Sequence, residues 1–288
     1  MRHCTESTFP NSLDIVRQIS ADADIVTQHP CFCDEAHYRV GRIHLPIAPK
    51  CNIQCNFCER NMCATEATQH PGWTARLLSV EEAVDLVERI MLTRKDANFV
   101  IGVAGPGDPL ANAQTFEALS LIHRKYPQTL KCMCTNGLLL EDSLEQIEAC
   151  GVKAITVTVN AFSSDAGKDI YSWVRYDGVT YHGEEAASLL ISRQFSGLTK
   201  AADRGFSVKV NTVLIPGVND KQMPQLARRV REAGATVFNI MPLIPCGKMK
   251  ELRAPTCEEL RTARQDSEGI VTQFHNCEQC RADVVYLP

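Results

Sequence analysis

Short β-branched, apolar runs recur along the chain at 43–47, 99–103, 130–135, 154–159, 208–214 and 237–241, each of a length that suits a buried strand. Between them, apolar residues return at helical spacing. Ser79-Val80-Glu81-Glu82 is a capping box that opens such a stretch, with Val84, Leu86, Val87, Ile90 and Met91 on one face. Thr256-Cys257-Glu258-Glu259 repeats the device. Further helices are predicted over 116–125, 143–149, 184–204 and 222–233, the last two ended by Gly205 and Gly234. A strand followed by a helix thus occurs six times.

This alternation demands parallel strands covered by helices, with right-handed crossovers. Six units predict an α/β fold, a partial (βα)6 TIM-like barrel rather than the complete eight. Working residues are then expected in the loops after the strands. Those loops are unusual here. The first carries Cys51, Cys55 and Cys58, the second Gly105-Pro106-Gly107-Asp108-Pro109, the third Thr135-Asn136-Gly137, and the fourth a Tyr- and Trp-bearing insertion over 160–183. The expected division is an N-terminal arm over 1–40, a barrel over 41–244 and a C-terminal tail over 245–288.

With 44% hydrophobic and 22% charged residues in 288, the composition is that of a globular protein and excludes a disordered or collagen-like chain. A net charge of −4 supplies no cationic field for a phosphate backbone, so no nucleic-acid partner is expected. No apolar run reaches membrane-spanning length, and Met1 to Gln18 lacks an apolar leader. A cytoplasmic protein with no membrane partner follows. There the 14 cysteines are expected to bind metal rather than to pair.

Cys51-Asn52-Ile53-Gln54-Cys55-Asn56-Phe57-Cys58 has a three-cysteine spacing that arises by chance only roughly 0.03 times in such a chain. A structural zinc site, which wants four closed ligands, and buried core thiols are the plainer readings. Asn52, Gln54 and Asn56 are too polar for a core strand. Three neighbouring thiolates suit a four-iron, four-sulfur cube, holding three irons and leaving the fourth open to an exchangeable ligand.

The loop resembles that of the radical S-adenosylmethionine (radical SAM) superfamily, whose C-x3-C-x-aromatic-C motif follows the first strand of a partial βα barrel, with Phe57 as the aromatic here. The resemblance implies a [4Fe-4S] cluster on Cys51, Cys55 and Cys58. Its open iron binds S-adenosylmethionine, which one electron splits to give a 5′-deoxyadenosyl radical. It also implies that Gly105, Gly107 and Asp108 meet the methionyl amino group, and that Thr135, Asn136, Asn160 and Asn211 make polar contacts with the same cofactor. Taken alone, these are ordinary turn and strand-end residues.

From about residue 29 to the end the chain is similar to the NifB family of nitrogenase cofactor biosynthesis proteins. The segments that carry the likeness include His29-Pro30-Cys31-Phe32, Arg42-Ile43-His44, Gly102-Val103-Ala104-Gly105-Pro106-Gly107-Asp108-Pro109-Leu110, Ile215-Pro216-Gly217-Val218-Asn219-Asp220 and Cys277-Glu278-Gln279-Cys280-Arg281-Ala282-Asp283. This implies an enzyme that fuses two four-iron clusters with a sulfur and a carbon from the methyl of S-adenosylmethionine. Two auxiliary [4Fe-4S] clusters are then implied, with Cys31, His44, Cys63, Cys277 and Cys280 as matching ligands and Glu66 as a proton acceptor. Partners would be an iron–sulfur donor and a scaffold or carrier protein.

Each of these residues has a plainer reading. His44 suits a core histidine, Cys63 a buried thiol, and Cys277 with Cys280 a zinc clasp. Cys132 and Cys134, two apart on a strand and so on one face, are expected in the core, as is Cys150. Cys4, Cys33, Cys246 and Cys257 have no matching position. The chain departs from the family at His37-Tyr38, where a doubled histidine is usual, and over 65–72, where an arginine is missing. Ending soon after Asp283, it is expected to lack the carrier domain that some members append. The rival functions are a radical enzyme with auxiliary clusters acting on a peptide or small molecule, and a non-catalytic cluster carrier.

Overall fold

The computed structural model describes residues 22–65, 68–94 and 98–288. Six strands, β1 (Gly41–His44), β3 (Phe99–Val103), β4 (Lys131–Thr135), β5 (Val152–Thr158), β8 (Ser207–Leu214) and β9 (Val237–Pro242), lie parallel in one sheet. Their apolar runs are buried from both sides, with Ile43, Ile101, Ile155, Val210 and Phe238 all fully covered. That is why they read as continuous rather than alternating. The six strands run in the order β9-β8-β5-β4-β3-β1 among the described residues, so β9 and β1 do not pair and the barrel stays open, as six units predict. Two tail strands extend the edges: β10 (Thr272–Gln273) runs parallel to β9, and β11 (Val285–Tyr286) antiparallel to β1.

The two helices with a predicted capping box begin where it places them, while those expected from 116 and 143 start three residues earlier, at Ala113 and Leu140. In α2 (Val80–Thr93), Ser79 and Glu82 form the reciprocal box, and Val80, Ala83, Val84, Val87 and Ile90 face the sheet. The helices α3 (Ala113–Lys125), α4 (Leu140–Ala149), α6 (Gly183–Asp203) and α7 (Met223–Glu232) follow in turn, and α8 (Cys257–Glu268) starts from the second capping box. At the N-terminal side, α1 (Asp22–Gln28) leads into the Cys31 segment.

The insertion over 160–183 differs from the expected loop. It folds into α5 (Ser164–Ile170) and a hairpin of β6 (Tyr171–Tyr176) and β7 (Val179–Tyr181), whose turn residues Asp177 and Gly178 both have positive φ. Strand β2 (Ile53–Cys55), inside the cysteine loop itself, pairs antiparallel with β6. A second, three-stranded sheet therefore fixes the segment from which Cys51, Cys55 and Cys58 project.

Candidate functional site

At the C-terminal ends of the parallel strands lies a cavity of about 300 Å³. Cys51, Cys55, Phe57 and Cys58 line one side of it. Asn56 holds their loop by a bond from its backbone N–H to Ile170 O (2.7 Å) and from its side-chain amide to Asp169 O (2.7 Å). Gln54 Nε2 donates to the carbonyls of Cys55 and Cys58 at 2.9 Å each. None of these bonds uses a thiol, and all three cysteines line the cavity. Burial pushes all three upward in pKa, Cys51 to about 11, and in Cys55 the neighbouring Cys58 and Cys51 charges add to it. Three mutually repelling thiolates in a dry site are relieved by a cation that binds them all, which is the donor chemistry of an iron–sulfur cube.

The glycine-rich loop touches the cysteine loop directly. Gly107 N donates to Ala48 O (2.6 Å) and Asp108 N to Lys50 O (2.9 Å), while the Asn112 side chain brackets both polar groups of the Lys50 backbone. A Cβ on Gly107 would stand 2.2 Å from the carbonyl oxygen of Lys50, the residue before Cys51. Only glycine permits this approach. Gly107→Ala is therefore expected to destabilise the fold by about 1–3 kcal/mol and to shift Cys51. The rate of 5′-deoxyadenosine formation should fall by on the order of 10²-fold. Thermal unfolding beside a single-turnover assay checks this, and a wild-type rate would show that the contact does not set the site.

Asp108 is buried, and its carboxylate accepts from Leu110 N (3.0 Å), Thr135 Oγ1 (2.9 Å) and Asn136 N (2.6 Å). Burial outweighs these bonds and lifts it to about 6. Asn136 continues the chain, donating from Nδ2 to Asn52 Oδ1 (2.6 Å) and lying 3.7 Å from Cys51 Sγ. Asn160 and Asn211 also line the cavity. The Asn160 side chain accepts from Val213 N (2.9 Å), and Asn211 Oδ1 accepts from the fully buried Asn239 (2.9 Å). Gly105 sits beside Pro106, which lines the cavity, although it does not do so itself.

The far side of the same cavity gathers Cys31, His44, Cys277 and Cys280 from segments up to about 250 residues apart. His44 Nδ1 meets Arg281 O at 3.0 Å, which makes Nδ1 the donor and leaves Nε2 as the free acceptor. A ligating histidine is oriented in this way. Burial raises the Cys31 and Cys280 thiols, Cys280 to about 12. Cys132 and Cys134 correct the sequence reading. They do share one face of β4, but that face is the cavity wall. Cys150 is in the core as expected.

Cys63 is exposed and does not line the cavity, and Glu66 and Cys4 lie outside the described residues. Cys246 donates to Glu59 Oε2 at 2.8 Å beside the cysteine loop, Cys257 is exposed and Cys33 is half-buried. Sequence reasoning missed Arg42, Lys209 and Tyr171, all buried and lining the cavity. Among the described residues no cysteine is in a disulfide. Among the described residues no three Cys, His, Asp or Glu side chains form a single-ion site, and no helix is long and apolar enough to cross a membrane.

Comparison with known proteins agrees with this geometry. Residues 45–230 match the Radical SAM superfamily. FeMo cofactor biosynthesis protein NifB of Methanocaldococcus infernus is 43% identical over 272 residues, covering 94% of this chain and 89% of the relative. The Klebsiella pneumoniae protein of that name is 41% identical over 91% of this chain, which spans 57% of the relative's length. Among solved structures, a radical SAM methyltransferase from Sphaerobacter thermophilus aligns with a TM-score of 0.53 at 18% identity, over 82% of this chain and 64% of its own. Streptococcus suis SuiB bound to S-adenosylmethionine aligns at 0.57 and 12% identity, over 83% and 51%. These two show the shared fold. The superfamily match over most of the barrel, with relatives above 40% identity along nearly the whole chain, makes this protein a member of the radical SAM superfamily and, within it, of the NifB family.

Proposed function

We propose that the protein builds an eight-iron, carbide-containing precursor of the nitrogenase cofactor by fusing two four-iron clusters with carbon from the methyl group of S-adenosylmethionine. What supports this is one observation. A second set of soft ligands, Cys31, His44, Cys277 and Cys280, opens into the same cavity as the Cys51, Cys55 and Cys58 loop. Cys132, near Cys31, adds a further thiol to this lining. When bound by that loop, a four-iron cluster supplies the electron that splits S-adenosylmethionine into methionine and a 5′-deoxyadenosyl radical.

The chain's own residues provide the rest. Phe57 and the Gly107–Asp108 turn bound the cofactor side, and the Asp108 to Asn136 hydrogen-bond chain keeps that turn in register with Cys51. Tyr171, fully buried with its hydroxyl accepting from Asn160 N (3.3 Å), lines the cavity beside Cys55, its partner in the β2–β6 pairing. The auxiliary clusters are substrates, held on the opposite wall. Loading them requires an iron–sulfur donor protein and removing the product a carrier protein, because a charged cluster does not diffuse freely through water intact.

Anaerobic reconstitution should load about twelve irons per chain, three cubes in all. Incubation with methyl-labelled S-adenosylmethionine should then leave label in an acid-labile cluster. A chain that saturates near four irons would sink this reading and leave a radical enzyme acting on a peptide or small molecule. A loaded chain that yields no 5′-deoxyadenosine would be a carrier.

A further inference from the structure

The wall that carries Cys31, Cys277 and Cys280 is also cationic, which neither the ligand set nor the S-adenosylmethionine side requires. Lys209, on β8, is buried; its Nζ donates to Cys31 O at 2.6 Å and lies 4.7 Å from the centre of the Phe274 ring. Arg42, on β1, is equally buried and pairs through one Nη2 with Glu278, the residue after Cys277. Its Nε and Nη1 find no nitrogen or oxygen acceptor, and the guanidinium's other polar neighbour is the Cys280 thiol. His29 Nδ1 accepts from Cys31 N (3.1 Å), so the ring proton is on Nε2. That N–H is buried and unpartnered.

All three nitrogen groups belong to residues that line the cavity. Among the described residues, the cavity lining at this end sets one carboxylate, Glu278, against these two cations, and it is half-exposed. Burying a cation without a full counter-charge is costly, and a buried N–H without an acceptor costs about 1–3 kcal/mol. An anion with several acceptor atoms, seated between the three thiols, would satisfy both. A four-iron cube with thiolate ligands is such an anion: it is negatively charged, and its sulfides accept N–H bonds.

We infer that Lys209, Arg42 and the Nε2–H of His29 form a positioning and charge-compensating cradle for the iron–sulfur unit held by Cys31, Cys277 and Cys280. The inference rests on the proposed cluster assembly. Its consequence is electrochemical, since adding one electron adds one negative charge. Neighbouring cations and N–H donors favour the reduced form and raise the reduction potential. Lys209 and Arg42 also serve mechanically. Each ties one cysteine-bearing segment to the barrel, Lys209 the arm through Cys31 O and Arg42 the tail through Glu278.

The test is a redox titration of the fully reconstituted chain, followed by electron paramagnetic resonance. The cluster whose signal responds to added S-adenosylmethionine serves as the internal reference. Lys209→Gln should lower the midpoint of one cluster insensitive to S-adenosylmethionine, and Lys209→Arg should restore most of it. Glu278→Gln, which removes the competing carboxylate at a half-exposed position, should raise the same midpoint. Opposite shifts are the signature, because a merely structural disturbance has no reason to reverse sign. Should Lys209→Gln shed its cluster, Glu278→Gln still decides. Midpoints unmoved by Glu278→Gln, or moved downward as in Lys209→Gln, overturn the cradle while leaving cluster assembly intact. A wild-type chain holding only the reference cluster overturns both.

Discussion

Cys55→Ala is expected to abolish formation of 5′-deoxyadenosine and to remove about four of the bound irons. Cys55 is the middle thiol of its loop, at the end of β2, where the register with β6 shifts. Its backbone carbonyl accepts from Cys58 N (3.1 Å) and from Gln54 Nε2 (2.9 Å). None of these bonds uses the side chain, so alanine leaves the loop in place and removes only the ligand. Two thiolates cannot hold three corners of a cube, and an incompletely held cluster loses the site-differentiated iron that S-adenosylmethionine needs. The proposed auxiliary ligands come from α1's exit, β1 and the tail, so iron held there should be largely retained. Product chromatography with iron analysis checks both halves. Turnover at the wild-type rate would show that the catalytic cluster is held elsewhere.

The barrel was legible because each signal was local. Apolar runs mark strands buried from both sides, and the Ser79 and Thr256 boxes mark helix starts within a residue. The Cys51, Cys55 and Cys58 spacing points to its chemistry without any knowledge of the fold. The hairpin of β6 and β7 had a readable signal too: Asp177-Gly178 between two Tyr- and Val-bearing runs is a type I′ turn sequence. Beside the larger oddity of a long insertion it reads as loop.

What the sequence withheld is the third dimension. Alternation puts Cys132 and Cys134 on one face of β4, but period two does not say whether that face meets helices or the cavity. Lys209 interrupts the run Val208-Lys209-Val210, and Arg42 precedes Ile43. A charge inside an apolar strand signals a buried partner, yet the partners are the Cys31 carbonyl, 178 residues away, and Glu278, 236 residues away. Only the folded chain joins them. The same holds for Cys31 and Cys277, whose meeting depends on tail strands of two residues each that no propensity argument finds.

The double change Cys277→Ala and Cys280→Ala tests that meeting and should lower the iron content by about four atoms while stopping formation of the carbide cluster. The tail that carries these residues is stitched to the barrel without their thiols. His44 bonds Arg281 O, Arg42 pairs with Glu278, Gln279 Nε2 donates to Pro242 O (2.8 Å), and Ala282 N donates to Trp73 O (2.9 Å). Cys277 Sγ adds only a 3.5 Å contact with Met241 Sδ, and the Cys280 thiol lies beside Arg42. Alanine at both positions should therefore leave the segment docked and the melting temperature within a few degrees of wild type. Reductive cleavage of S-adenosylmethionine, which depends on the opposite wall, should remain measurable. A zinc clasp makes the contrary prediction, because a structural site contributes its binding energy to folding: one zinc lost per chain, iron unchanged and a marked fall in stability. Metal analysis and a melting curve on the same sample separate the two outcomes. An unchanged iron count would remove Cys277 and Cys280 from the substrate cluster.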